Sequence, residues 1–217
     1  MAKKRPAGDM RHLAEAWITT TSRVHAKDDV AGIGAALLAR WSEPHRRYHD
    51  LRHLDEVLRH IDDLALHATE PDAVRLAAWY HDAVYDPTAS DNEARSAALA
   101  RADLTRLKVD PSLVDEVARL VDLTATHDAG DADSDGAVLC DADLAVLASD
   151  PARYSDYAAG VRTEYDHVDD AAYAKGRTRL MRALLDRPHL YATSTARRDW
   201  EQSARRNVEM ELRFLGQ

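Results

Sequence analysis

Apolar residues along this chain recur three and four positions apart, and few stretches alternate with period two. In the run from Leu51 to Leu64, for example, Leu51, Leu54, Val57, Leu58, Ile61 and Leu64 fall on one stripe with charged residues between them. Such a stripe is the mark of an amphipathic helix with one buried face. The pattern predicts helices over 10–22, 30–41, 51–66, 71–82, 92–107, 112–126, 141–148, 152–165, 170–185 and 195–215, and no sheet. Pro71 and Pro111 suit first-turn positions, where a missing N–H has no partner to lose. Asp91 is placed to cap the helix that follows it, and Pro188 halts the helix ending near Leu185. The most loop-like stretch is 128–136, with two glycines and four aspartates. The fold class expected is therefore all-α, a bundle of about ten helices.

A length of 217 residues supports a real core, and no repeat or low-complexity linker divides the chain. It reads as one domain over 1–217, with its motifs in 45–150 and additional C-terminal helices in 151–217. The net charge of -9 argues against general nucleic-acid binding, because such a surface repels a phosphate backbone. It leaves a small phosphorylated substrate open, since one bound cation and a few arginines reverse the local field. No apolar run approaches the roughly 18 residues of a membrane span. Residues 1–6 are basic with no apolar stretch behind them, so they read as a frayed terminus and not a secretory signal. The single cysteine, Cys140, excludes an internal disulfide, and its apolar neighbours suggest an inert buried thiol. A reducing cytoplasm is the expected compartment.

Three segments concentrate ionisable side chains. The first is Tyr48-His49-Asp50-Leu51-Arg52-His53, the second Trp79-Tyr80-His81-Asp82-Ala83-Val84-Tyr85-Asp86, the third Asp141-Ala142-Asp143-Leu144. His49 and His53 are four apart and so share a face at a helix start. Asp82 follows an apolar run, where a charged carboxylate is expensive without a partner. Imidazoles and carboxylates drawn from separate helices make a mixed site suited to Mn, Fe, Co, Ni or Zn, with Mg also open. Such a set leaves positions for water, as hydrolytic ions require.

The order His, then His-Asp, then Asp resembles the HD superfamily of metal-dependent phosphohydrolases. The segment Tyr48 to His53 also resembles the Tyr-His-Asn-x-x-His opening of cyclic-nucleotide phosphodiesterases. The run from Tyr48 to Leu147 looks like a bacterial branch of predicted HD phosphohydrolases. The resemblance implies a single HD domain that binds a divalent ion through His53, His81, Asp82 and Asp143, the last preferred to Asp141 through its Ala-Asp-x-Leu context. It implies His49 as the general acid. Some family members carry a glutamate four positions after the motif histidine. Tyr85 stands there in this chain, and Asp86 or Glu93 is the candidate replacement.

His127 ends a predicted helix between the motif pair and the last aspartate, an interval where the resemblance implies a histidine for substrate contact or a second metal. Arg46, Arg47 and above all Arg52 are candidate phosphate ligands through their paired donors. His12, His25, His45, His60, His67 and His189 read as surface or structural residues, and nothing converges on Asp166-His167. The last helix carries Trp200, Val208, Met210, Leu212 and Leu215, for packing on the domain or for a homodimer contact. The expected reaction is hydrolysis of a phosphate ester, of a nucleotide or related small molecule, by metal-activated water with His49 protonating the leaving oxygen. Two other readings stand beside it: a di-iron oxygenase, which needs further ligands from His49 or His127, and a sensor that binds a nucleotide without turnover.

Overall fold

A computed structural model describes residues 11–216. The helices are α1 Arg11–Arg23, α2 Val30–Arg40, α3 Leu51–Leu64, α4 Pro71–Tyr80, α5 Asn92–Arg106, α6 Pro111–Leu123, α7 Ser134–Asp143, α8 Pro151–Glu164, α9 Asp170–Leu185, α10 Ser194–Asp199 and α11 Glu201–Leu215. Short 3₁₀ turns follow α3 (Ala65–His67) and α7 (Leu144–Ala148). No strand occurs among the described residues, so the chain is all-α. No helix among them is long and apolar enough to cross a membrane.

Aspartate makes most of the helix starts. Asp29, Asp50, Asp110, Asp133, Asp150 and Asp169 each accept a backbone N–H from the first turn of the helix they precede. The first amides of a helix have no internal partner, and a short carboxylate satisfies them. Asp91 departs from this expectation. Its side chain makes no capping bond, and its carboxylate lies 3.7 Å from Arg95 instead.

Helix α4 is the axis of the fold. Ala73, Val74, Leu76, Ala77, Ala78, Trp79 and Tyr80 are all buried, and α4 packs on α1, α3, α5, α6 and α7. Trp17 from α1 meets Trp79 edge-on, with ring centroids 5.4 Å apart. Because α4 is enclosed along its length, whatever follows its last turn is delivered to a fixed point. His81 and Asp82 are those residues.

Several boundaries differ from the sequence expectation, among them the ends of α4 at Tyr80 and α6 at Leu123, expected at 82 and 126. The helix expected over 141–148 begins earlier, at Ser134, because Asp133 caps it by accepting the Gly136 N–H at 2.9 Å. The remainder, Leu144–Ala148, is a 3₁₀ turn. The helix expected over 195–215 is divided at Trp200 into α10 and α11. There the Glu201 carboxylate turns back to accept the amides of Leu190 and Tyr191. The helix expected over 51–66 closes its α-helical part at Leu64. The start of the helix expected from residue 10, and the terminal stretch 1–6, lie outside the described residues.

Candidate metal centre

Three helix ends meet at one point, the start of α3 and the ends of α4 and α7. His53 lies in the first turn of α3, where Asp50 accepts its backbone N–H at 3.3 Å. His81 follows α4. Its Nδ1 is 2.8 Å from the Ala78 carbonyl, which can only accept, so Nδ1 carries a proton and Nε2 is the atom turned to the cluster. Asp143 closes α7. Residues His53, His81 and Asp143 each offer a donor atom, and these atoms lie within 4.8 Å of one another.

The separations suit a cation. The two Nε2 atoms are 3.2 Å apart. Asp143 Oδ1 is 3.0 Å from His53 Nε2 and 3.5 Å from His81 Nε2. Asp82 Oδ2 is 3.3 Å from His81 Nε2 and 3.9 Å from His53 Nε2. Donors bound at about 2.1 Å to one ion stand roughly 3.0–3.4 Å from each other, in octahedral or tetrahedral arrangement. Both imidazoles are buried, whereas the Asp82 and Asp143 side chains keep 15% and 13% of their surface. The cluster therefore has a closed back and an open front.

Charge is already balanced within this cluster. Burial lowers the His81 pKa, but the Asp82 and Asp143 carboxylates outweigh it and hold it well above the ordinary imidazole value. Burial would raise the Asp82 and Asp143 pKa values, yet His81 and its neighbouring histidines drive both far down.

The other predicted residues fall into two groups. His127 is brought in: its Nε2 is 2.7 Å from Asp143 Oδ2. It sits just past α6 in the left-handed region, at φ 49°, a conformation that costs a non-glycine residue roughly 1–2 kcal/mol. Its N–H reaches the Leu123 carbonyl at 3.0 Å, closing the helix, and Arg187 holds its own carbonyl at 2.9 Å. His49 is also brought in, with Nε2 4.0 Å from Asp82 Oδ2.

Asp86, Glu93 and Arg52 form no hydrogen bond or ion pair with the cluster in the described residues. Asp86 is exposed, and its carboxylate closes a turn by accepting the Thr88 N–H and hydroxyl at 2.9 and 2.7 Å. Glu93 is half-buried in the first turn of α5, where its charge, after burial and Glu164, helps to raise the Tyr165 pKa. Arg52 is 55% exposed and pairs with Glu56 at 3.1 Å and Asp156 at 3.5 Å. An exposed arginine with two carboxylates beside it has its donors engaged on the outer surface of α3. Arg47 donates to the Pro44 carbonyl at 2.5 Å, and Arg46 points into the protein.

Sequence reasoning missed Glu164, the last residue of α8. Its carboxylate is fully buried and accepts five hydrogen bonds. Oε1 takes the backbone amides of Arg47, Tyr48 and His49 at 2.7, 2.8 and 3.0 Å. Oε2 takes His49 Nδ1 at 2.6 Å and the Tyr85 hydroxyl at 3.0 Å. Burial pushes its pKa up, but these partners, His49 foremost, bring it down to about 2. Burial in turn lowers His49, and the carboxylates of Asp82 and Glu164 overcome that and raise it. The close seating of α8 depends on Gly160, where an added Cβ would stand 3.0 Å from the Arg47 carbonyl and 3.1 Å from Tyr48 Cβ.

Asp141, the alternative to Asp143, serves α10. Its two oxygens accept the Ala192 and Thr193 amides, each at 2.7 Å, so it sits inside α7 and not at a helix start. Asp141→Asn is expected to leave one buried amide facing an NH₂ group, at a cost of about 1–3 kcal/mol. Thermal unfolding should show that loss, and metal content should stay at the wild-type level. Cys140 is buried, and burial pushes its thiol up to about 12, consistent with an unreactive side chain.

No family model, curated protein or solved structure matches the chain.

Proposed function

We propose that the chain is a metal-dependent phosphohydrolase of the HD type, acting on a phosphate ester of a nucleotide or related small molecule. The observation that carries the reading is the convergence of His53, His81 and Asp143, with Asp82 3.3 Å from His81 beside them and an open front. In this reading those four side chains hold one divalent ion. Bound there, the ion supplies Lewis acidity to a phosphoryl oxygen and makes water acidic enough to attack near neutral pH.

The chain's own residues account for the remaining needs. His49 Nε2 faces Asp82 across 4.0 Å and stands at the mouth of the cluster, where a departing oxygen needs a proton. Glu164 holds the proton on Nδ1, so that any second proton on the ring sits on Nε2, aimed outward. The Asp82 and Glu164 carboxylates raise the His49 pKa and so favour that second proton. Tyr85 covers one face of the ring, with centroids 4.4 Å apart, and its hydroxyl steadies Glu164. No glutamate at position 85 is required for this arrangement, because the carboxylate that partners His49 comes from α8.

His127 supports a second reading. Its contact with the free oxygen of Asp143 offers the beginnings of a neighbouring site, as a two-ion hydrolase or a di-iron oxygenase needs. One experiment addresses both readings. Metal-free protein is loaded with Mn²⁺, Fe²⁺, Co²⁺, Ni²⁺, Zn²⁺ or Mg²⁺, the ions per chain are counted, and nucleotide phosphate release is followed. About one ion per chain with phosphate release is the expected result. Two irons with oxygen consumption favour the oxygenase, tight nucleotide binding without turnover favours the sensor, and no bound ion under any condition sinks the metal centre.

A further inference from the structure

Arg46 stands three residues before His49, and its guanidinium is completely buried, with 0% of the side chain exposed. A cation so placed normally answers a carboxylate, yet the one it meets, Glu43 at 3.2 Å, lies at the rim and is partly exposed. Its other donors go to main chain. Nη1 donates to the carbonyls of His49 and Asp82, each at 2.9 Å, and Nη2 leans toward the Ala83 carbonyl at 3.4 Å. The rings of Trp41 and Tyr85 cover the guanidinium at 5.3 and 5.4 Å.

Two turns meet at this fork. One presents His49, the other presents Asp82, and among the described residues no backbone hydrogen bond joins them. One nitrogen, Nη1, reaches both carbonyls, while Nε and Nη2 hold the group against Glu43 and Ala83; a lysine ammonium ends one bond short of Nη1 and lacks the second arm. Trp41, which covers one face of the fork, also backs the His81 ring at 5.3 Å and donates to the Trp79 carbonyl at 3.0 Å. The guanidinium therefore sits in the same packed layer that supports the histidine ligands from behind.

The geometry points to Arg46 as a positioning residue that sets the place of Asp82 relative to His81 and of His49 relative to both, and so tunes ion affinity without touching the ion. The inference rests on the metal-centre reading. It removes Arg46 from the candidate phosphate ligands, because its donors face main-chain oxygens.

The test is Mn²⁺ binding by competition with a chromophoric chelator, on wild type, Arg46→Lys and Arg46→Gln, well below each unfolding temperature. Val117→Ala, a core truncation on α6, serves as a destabilised control. Loss of a group that orients ligands costs about 10- to 100-fold in metal affinity. Both Arg46 variants should show a loss of that size, while Val117→Ala should bind as wild type despite its lower melting temperature. Either folded Arg46 variant binding Mn²⁺ with wild-type affinity overturns the proposal, as does an equal affinity loss in Val117→Ala. Wild-type protein that takes up no ion overturns the metal centre itself and this proposal with it. Should Arg46→Gln fail to fold, Arg46→Lys decides, since it keeps the charge and removes the fork.

Discussion

His81→Ala and Asp143→Asn are each expected to lose more than about 100-fold in divalent-ion affinity while retaining helical circular dichroism. The bound is set by the roughly 10- to 100-fold cost of losing a group that merely orients a ligand. His81 is the stronger case. Its Nδ1–H is tied to the Ala78 carbonyl at 2.8 Å, so its only free donor atom faces the cluster. Asp143 is the point where three imidazoles meet, with His53 and His81 near one oxygen and His127 on the other. Its replacement by asparagine removes the charge that compensates them and leaves the shape. Equilibrium dialysis with metal analysis measures the result. Full occupancy in both variants would show that the cluster is a buried ion-pair network and not a metal site. Asp141→Asn in the same assay separates the two neighbouring aspartates, because its carboxylate serves the Ala192 and Thr193 amides.

The parts of this centre that could be read from the sequence are the parts encoded locally. Asp50 before a helical stripe announces a cap, and the cap places His53 in the first turn. The apolar run before His81 announces a buried helix, and α4 proves buried along nearly its whole length. Contacts made through space leave no such trace. Glu164 is 115 residues from His49, and within its own helix it is one more charged residue. Arg46 beside Arg47 looks like a solvated pair, and only the packing of Trp41 and Tyr85 decides that one faces inward. The misplaced start of α7 has a different origin: its signal is local, the Asp133 cap on the Gly136 amide, but it lies in a stretch with the composition of a loop. Asp86 stands one position past the place of the family glutamate, and a threonine two residues on draws its carboxylate into a local turn.

His49→Ala and Glu164→Gln are expected to keep the ion and lose turnover, by different routes. If His49 delivers the proton to the leaving oxygen, its removal costs about 10²- to 10⁴-fold on esters with poor leaving groups. On a nitrophenyl ester, whose leaving group needs no proton, the loss should be small. Glu164→Gln keeps an oxygen for the three amides of Arg47, Tyr48 and His49 but turns an NH₂ group toward His49 Nδ1. The ring then accepts at Nδ1 and loses the carboxylate that favours its charged form. Its pKa should fall, so the rate on poor leaving groups should decline from a lower pH than in wild type. The same substitution is visible in stability. Glu164 titrates at about 2 in the folded protein against an ordinary 4.5, so its contribution is present above about pH 4.5 and is lost as pH falls toward 2. Wild type should therefore lose more stability than Glu164→Gln across that window. A purely structural Glu164 would show this stability difference and leave the pH–rate profile where it was, whereas a carboxylate that poises the acid moves both.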